Sequence, residues 1–208
     1  MKSIFIKTRN FVALVLSALA IVSTVSCQKD KDEDTKPSPL AKDWVVTKID
    51  GAIPSFRLAY SFTQSGQAEA GVLLDEKQLT DLQGAFSKLT LSDEGQKILE
   101  SLSVGDLLVQ SGGSYTVEVD ESGTAGIITI VVDPEMSTSE VDEEKRIVSN
   151  RFHDLQDESI IFVGIASDGK NTRDIEIEMK SASSLGIKIG KHHILKALLD
   201  SVLSEDEL

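Results

Sequence analysis

From residue 44 onward, hydrophobic positions recur with a period of two in some stretches and near 3.6 in others, and the switches mark the elements. Trp44-Val45-Val46-Thr47-Lys48-Ile49 is rich in β-branched and aromatic residues and is closed by Asp50-Gly51, which predicts an opening strand. Phe56, Leu58, Tyr60 and Phe62 then occupy every second position, as a strand with one buried face requires. The period changes at Asp75. Leu79, Leu82, Phe86 and Leu89 fall on one helical stripe, and Asp75 followed by Gln78 has the spacing of a capping box, so a helix is expected over 75–88. A second helix begins at Ser92, with Asp93 and Glu94 in its first turn, where the helix dipole favours acids. Ile98, Leu99 and Leu102 form its apolar side, and Gly105 ends it.

Beyond Gly105 the period returns to two. Tyr115, Val117 and Val119 alternate with polar residues, a turn follows over 120–126, and Ile127–Val132 reads as a nearly continuous apolar strand. Residues 134–144 are polar and read as a loop. Residues 160–166 form another buried strand, and Asp168-Gly169 carries turn chemistry. In the next strand Ile175, Ile177 and Met179 point one way and Asp174, Glu176 and Glu178 the other. A short strand at 187–189 precedes a helix over 191–203, with Ile194, Leu195, Leu198, Leu199 and Val202 on its buried side. Short hairpin-like connections between strands, with helices grouped in the middle and at the end, predict an α+β fold. It has a mainly antiparallel sheet, two central helices and a C-terminal helix, in one domain over 44–208. The Trp44 opening resembles lipocalin-like bacterial domains, whose first strand starts with a tryptophan; the helices over 75–103 interrupt that pattern, and the expected fold does not rest on it.

The first 43 residues follow other rules. Residues 1–26 carry Lys2, Lys7 and Arg9 and no acid, with an apolar run over 11–25 that is shorter than the roughly 20 residues a membrane span needs. A basic head, a short apolar centre and small residues at the exit read as an export signal. The exit Ser23-Thr24-Val25-Ser26-Cys27 resembles a lipobox, with Thr24 where that pattern prefers Leu. The resemblance implies that the signal is cut before Cys27 and that Cys27 is lipidated. Cys27 is the only cysteine of the chain, so no intramolecular disulfide is available. Lys29, Asp30, Asp32, Glu33 and Asp34 resemble the surface-export signal of Bacteroidetes lipoproteins, in which a lysine and acids stand behind the lipidated cysteine. This implies an outer-membrane lipoprotein on the cell surface, with the periplasmic leaflet as the alternative. Residues 28–43 contain almost nothing apolar and read as a flexible tether, reaching on the order of 50 Å at about 3.3 Å per residue.

Charge narrows the partners. The chain carries −13, and loss of the three cations of residues 1–26 takes the remainder to −16. Such a surface repels nucleic-acid phosphates and anionic lipid heads, which excludes a nucleic-acid function and leaves the lipid anchor as the one contact with the membrane.

Candidate chemistry is sparse. Ser167-Asp168-Gly169-Lys170 fits Ser-x-x-Lys, but that nucleophile needs a helix start, and here it lies between strands with no Lys-Thr-Gly partner. His192 and His193 are adjacent, whereas a metal pair on a helix sits four apart, and His153 is the only other histidine. Asp174, Glu176 and Glu178 form a solvated strand face, in which a glycosidase-like pair is the less ordinary reading. Glu140, Asp142, Glu143 and Glu144 lack the spacing of a calcium loop. The terminal Glu205-Asp206-Glu207-Leu208 resembles a retrieval tetrapeptide, which has no compartment to serve in a bacterium. The eight aromatics beyond the signal lie mostly on predicted buried faces, Trp44 being the one candidate for sugar stacking. No catalytic residue, metal site or cofactor is therefore expected. The expected function is a non-enzymatic envelope lipoprotein, an accessory or binding domain for an envelope protein or an extracellular ligand. The alternatives are a hydrolase with a scattered site and a structural or adhesive surface subunit.

Overall fold

The computed structural model describes residues 38–202, apart from 139–140, 144–145, 168–171 and 193; the side chains of 166, 167, 191, 192, 194, 196 and 197 are likewise outside the described set. Eight strands follow one another around a closed barrel. They are β1 (Asp43–Ile49), β2 (Leu58–Phe62), β3 (Gln67–Leu73), β4 (Asp106–Val119), β5 (Gly126–Val132), β6 (Ile147–His153), β7 (Ser159–Ser167) and β8 (Thr172–Ser181). Each is antiparallel to its neighbours in sequence, and β8 returns to β1 through Trp44↔Ser181 to Ile49↔Ile177. A ninth strand, β9 (Gly190–His192), lies parallel to the first residues of β4.

Alternation along each strand sorts the side chains into two sets. Trp44, Tyr60, Phe62, Tyr115, Phe152 and Phe162 point inward, with Ile128, Ile177 and Met179 among the residues between them. The rings fill the interior: Phe62 meets Tyr115 edge-on at 5.0 Å between centroids and lies 6.2 Å from Phe162. Two polar groups in this core keep a partner. Trp44 Nε1 donates to Leu40 O at 3.0 Å, and the Tyr115 hydroxyl donates to Thr63 O at 2.8 Å. Trp44 is fully buried, so it offers no ring to a sugar. Burial pushes the Tyr60 phenol up to about 12. Closure needs curvature, supplied in part by register shifts between Val46 and Lys48 and between Ala70 and Gly71. At the second of these a side chain on Gly71 would meet Leu108 O at 2.0 Å, so only glycine fits.

The outside of the barrel is covered unevenly. After β8 the chain crosses β1 to β4 on the outer face, and Ala182, Ile187 and Ile189 pack on Val45, Ala59, Leu73, Leu107 and Val109. This explains why every residue of β2 is buried. The helices α1 (Glu76–Phe86) and α2 (Asp93–Ser101) form a single excursion between β3 and β4. Leu79, Leu82 and Leu99 rest on Leu108, the cross-strand partner of the interior residue Val72. The short helix α3 (Ile194–Asp200) joins them through Leu198 against Phe86 and Leu91.

The α+β expectation is overturned. Strands make up 46% of the described residues and helices 19%, and the sheet is a closed barrel. The two central helices exist where expected, with Asp75 and Gln78 forming a reciprocal capping box and Ser92 capping α2, but they are an insertion beside the barrel rather than a layer of the fold. Two strands are absent from the sequence expectation, β3 and β6, and without them the meander cannot close. The last helix is seven residues long, and 187–189 is not a strand; the strand is 190–192. Leu40, inside the segment read as tether, is fully buried in the interior cluster.

Candidate functional site

The outer face of β5 to β8 is left bare by the helices and the C-terminal crossing. Cross-strand pairing aligns one row of outward side chains there: Glu118 beside Ile127, Ile127 beside Arg151, Arg151 beside Val163, and Val163 beside Glu176. Asp50 extends the row, since its N–H donates to Glu176 O at 2.8 Å. An open groove of about 1040 Å³ runs along this row and takes in Asp120, Ala125, Gly126, His153 and Asp174. Beside the row, Gly126 makes room for the inward Phe152, because a side chain there would meet Glu118 O at 2.1 Å and the Phe152 ring at 2.8 Å.

Ion pairs fix the row. Arg151 holds Asp174 at 2.7 Å, and Arg173 holds Asp50. The Arg173 guanidinium, followed by the Glu176 N–H, keeps the Asp50 carboxyl below the ordinary carboxylate range. The Ser122 hydroxyl, 2.7 Å away, does the same for Asp120. His153 Nδ1 lies 3.0 Å from Asp154 Oδ2. On β8, Glu178 faces Lys48 at 3.1 Å.

These directions carry a pH prediction. The folded pKa of Asp50 is depressed, so its contribution is fully present above the unfolded value near 3.9 and is lost as pH falls through the folded value. The stability difference between wild type and Asp50→Asn should therefore be largest at neutral pH and shrink below about pH 4. Urea midpoints at several pH values measure it. A difference that stays constant with pH would mean that the carboxylate charge at Asp50 adds nothing.

Of the residues singled out from sequence, the groove brings together Asp174, Glu176 and His153, and the others lie elsewhere. Glu176 lies in the row, and Asp174, opposite Ile165, points outward one step from it. Glu178 is one step beyond. Ser167 ends β7 opposite Thr172, while Asp168, Gly169 and Lys170 lie outside the described residues. His192 is on β9, paired with Leu108 at the start of β4, not on a helix; His193 lies outside the described residues, and His153 belongs to the groove near the far end of β4. Cys27, Lys29, Asp30, Asp32, Glu33 and Asp34 all lie outside the described residues, as do Glu140, Glu144 and the terminal tetrapeptide. Among the described residues no three of His, Cys, Asp and Glu come together as a metal site.

Sequence reasoning missed Arg151, Ile127, Glu118 and Asp50 as one surface. The signal that reveals Arg151 is the alternation of Val148, Asn150 and Phe152, which marks β6 and turns Arg151 outward. Among the described residues no Ser, Thr, Cys, Tyr or Lys lines the groove. Asp50 and Asp120 are shifted down, the opposite of what a general acid needs near neutral pH. No family model, curated protein or solved structure matches the chain.

Proposed function

We propose that this chain is a non-enzymatic envelope lipoprotein, whose barrel is a binding or accessory domain held by a lipid on Cys27 and an acidic tether. The bare outer face of β5 to β8 is its contact surface. The observation that carries this reading is the uneven coverage of the barrel. The outer faces of β1 to β3 and the start of β4 lie under the C-terminal crossing. On β5 and β6, Ile127, Val131 and Ile147 stay 44%, 44% and 52% exposed around the charged row. Ile127 lies within the charged row, and the facing pair Val131 and Ile147 lies beyond the Thr129–Ser149 hydrogen bond, so exposed aliphatic groups and ion pairs share one uncovered face, as they do on interaction surfaces. The interior, filled by its own rings, leaves the outside as the place for a partner. The acidic run from Lys29 to Asp34 supports display on the cell surface, and the periplasmic leaflet is the second location.

The test is a photo-crosslinking side chain placed at Ile127, Val131 or Ile147 in living cells, with Ile53, 84% exposed in the β1–β2 turn, as the control position. Discrete adducts at the three face positions and none at Ile53 are expected. Equal adducts everywhere, or none, would remove this face as the contact surface.

A further inference from the structure

The barrel is closed by unequal seams. β5 and β6 share six rungs, from Gly126↔Phe152 to Val131↔Ile147, and β7 and β8 share nine, from Ser159↔Lys180 to Ser167↔Thr172. Between β6 and β7 there are three: Arg151↔Val163, Phe152↔Phe162 and His153↔Ile161. Continuing that register would set Asn150 against Gly164, Ser149 against Ile165 and Ile147 against Ser167. Among the described residues none of these pairs forms. Each strand nevertheless keeps its geometry, because its other neighbour holds it. Beyond Arg151 and Val163 the two facing edges, here called the slot, share no ladder among the described residues.

The direction of the backbone groups follows from the hydrogen bonds on either side. Val132 N–H donates to Arg146 O, so Arg146, Val148 and Asn150 turn their peptide groups toward β5. Ile147 and Ser149 then turn theirs toward the slot. On β7, Gln156 N–H donates to Ser159 O, which puts Ile161, Val163 and Ile165 on the β6 side. Two strand edges thus present donors and acceptors at strand spacing, a template for β-strand addition.

We infer that this slot accepts one extended peptide segment of another protein, in which aliphatic residues alternate with Lys or Arg. This deepens the binding reading above and rests on it. The alternation follows from the two sides of the slot. Inward, the neighbours are the buried Val148 and the buried backbone of Gly164. Outward, Asp174 stands beside Ile165, and the adjoining groove carries Asp50, Glu118, Asp120, Asp174 and Glu176 against Arg151 and the nearby Arg173. That excess of acid favours a cationic outer face on the added strand. It disfavours the chain's own acidic segment 28–34 and a second copy of this acidic chain.

The probe is a fluorescein-labelled octapeptide alternating valine and lysine, titrated into the full-length protein, with anisotropy and amide exchange as readouts. Two control peptides leave the protein untouched: the same sequence N-methylated at alternate residues, which removes the strand's donors, and a valine–glutamate version. Saturable binding is expected, at least tenfold weaker for each control, with amide exchange slowed at Ile147 and Ser149. Equal binding of the N-methylated peptide would reduce the effect to surface charge and overturn strand addition. Absence of binding by the valine–lysine peptide would overturn it too. So would protection of Ile147 and Ser149 that needs no peptide and rises with protein concentration, which would show a second copy in the slot. If the peptide fails while crosslinks at Ile127, Val131 and Ile147 persist in cells, the contact face stands and strand addition falls. If the crosslinks fail as well, both readings fall.

Discussion

A chain that begins at Asp43 should melt on the order of 10 °C below one that begins at Ser38. Leu40 is fully buried in the interior cluster, and removing a buried leucine costs about 2–5 kcal/mol. The same cut removes Leu40 O, the acceptor of the Trp44 indole, and leaves a buried N–H donor unpaired at a further cost of about 1–3 kcal/mol. It also removes Lys42 O, which accepts the Phe62 N–H at 3.1 Å. For a domain of this size each kcal/mol is worth about 2–4 °C. The comparison is thermal melting of the full chain, chains starting at Ser38 and at Asp43, and Leu40→Ala. The first two should coincide, the third should be lowest, and Leu40→Ala should fall between. Coincidence of all four would mean that the plug formed by Leu40 and Trp44 adds nothing to stability.

The second large effect concerns the membrane. Cys27→Ala should move the protein almost completely out of the detergent phase in a phase-separation assay and abolish its labelling by a radioactive fatty acid. Each buried CH₂ contributes about 0.8 kcal/mol, so one chain binds marginally and several hold firmly; removing all of them leaves a tether and a barrel with no described helix long and apolar enough to span a bilayer. Retention of the variant in the detergent phase would assign the anchor to the uncut apolar run over 11–25 and end the lipoprotein reading. The barrel itself should be unaffected, because Cys27 precedes the first core residue, Leu40, by 13 positions.

Legibility in the sequence depended on how each element is buried. Strands with one wet face, such as β8 with Ile175, Ile177 and Met179 against Asp174, Glu176 and Glu178, announce themselves by alternation. The helices α1 and α2 do so by caps and stripes. β3 reads Gln-Ala-Glu-Ala-Gly-Val-Leu, with small residues where β2 and β4 crowd it, and carries little strand signal. β6 reads Ile-Val-Ser-Asn-Arg-Phe-His: it exposes Ile147 and turns Asn150 to the inner side, so its pattern inverts the usual rule at two positions. With both strands missing from the count, an open layer with helices beside it is the natural reading. The candidate site was less legible still. A row such as Glu118, Ile127, Arg151, Val163 and Glu176 exists only through register, and register is a property of neighbouring strands rather than of any one of them.

The sequence by itself determined the local chemistry of this protein: the capped helices, the alternating strands, the turn at Asp50-Gly51, the acidic balance and the lone cysteine behind an apolar run. These depend on residues within a few positions of one another, where periodicity and capping act. The tertiary structure alone decided closure into a barrel, the burial of Leu40 beneath Trp44, the covering of one outer face by residues 182–189 and the incomplete seam between β6 and β7. Each of these joins segments far apart in the chain. A strand's pattern tells which of its faces is apolar, but not which strand lies beside it or where their hydrogen bonds stop.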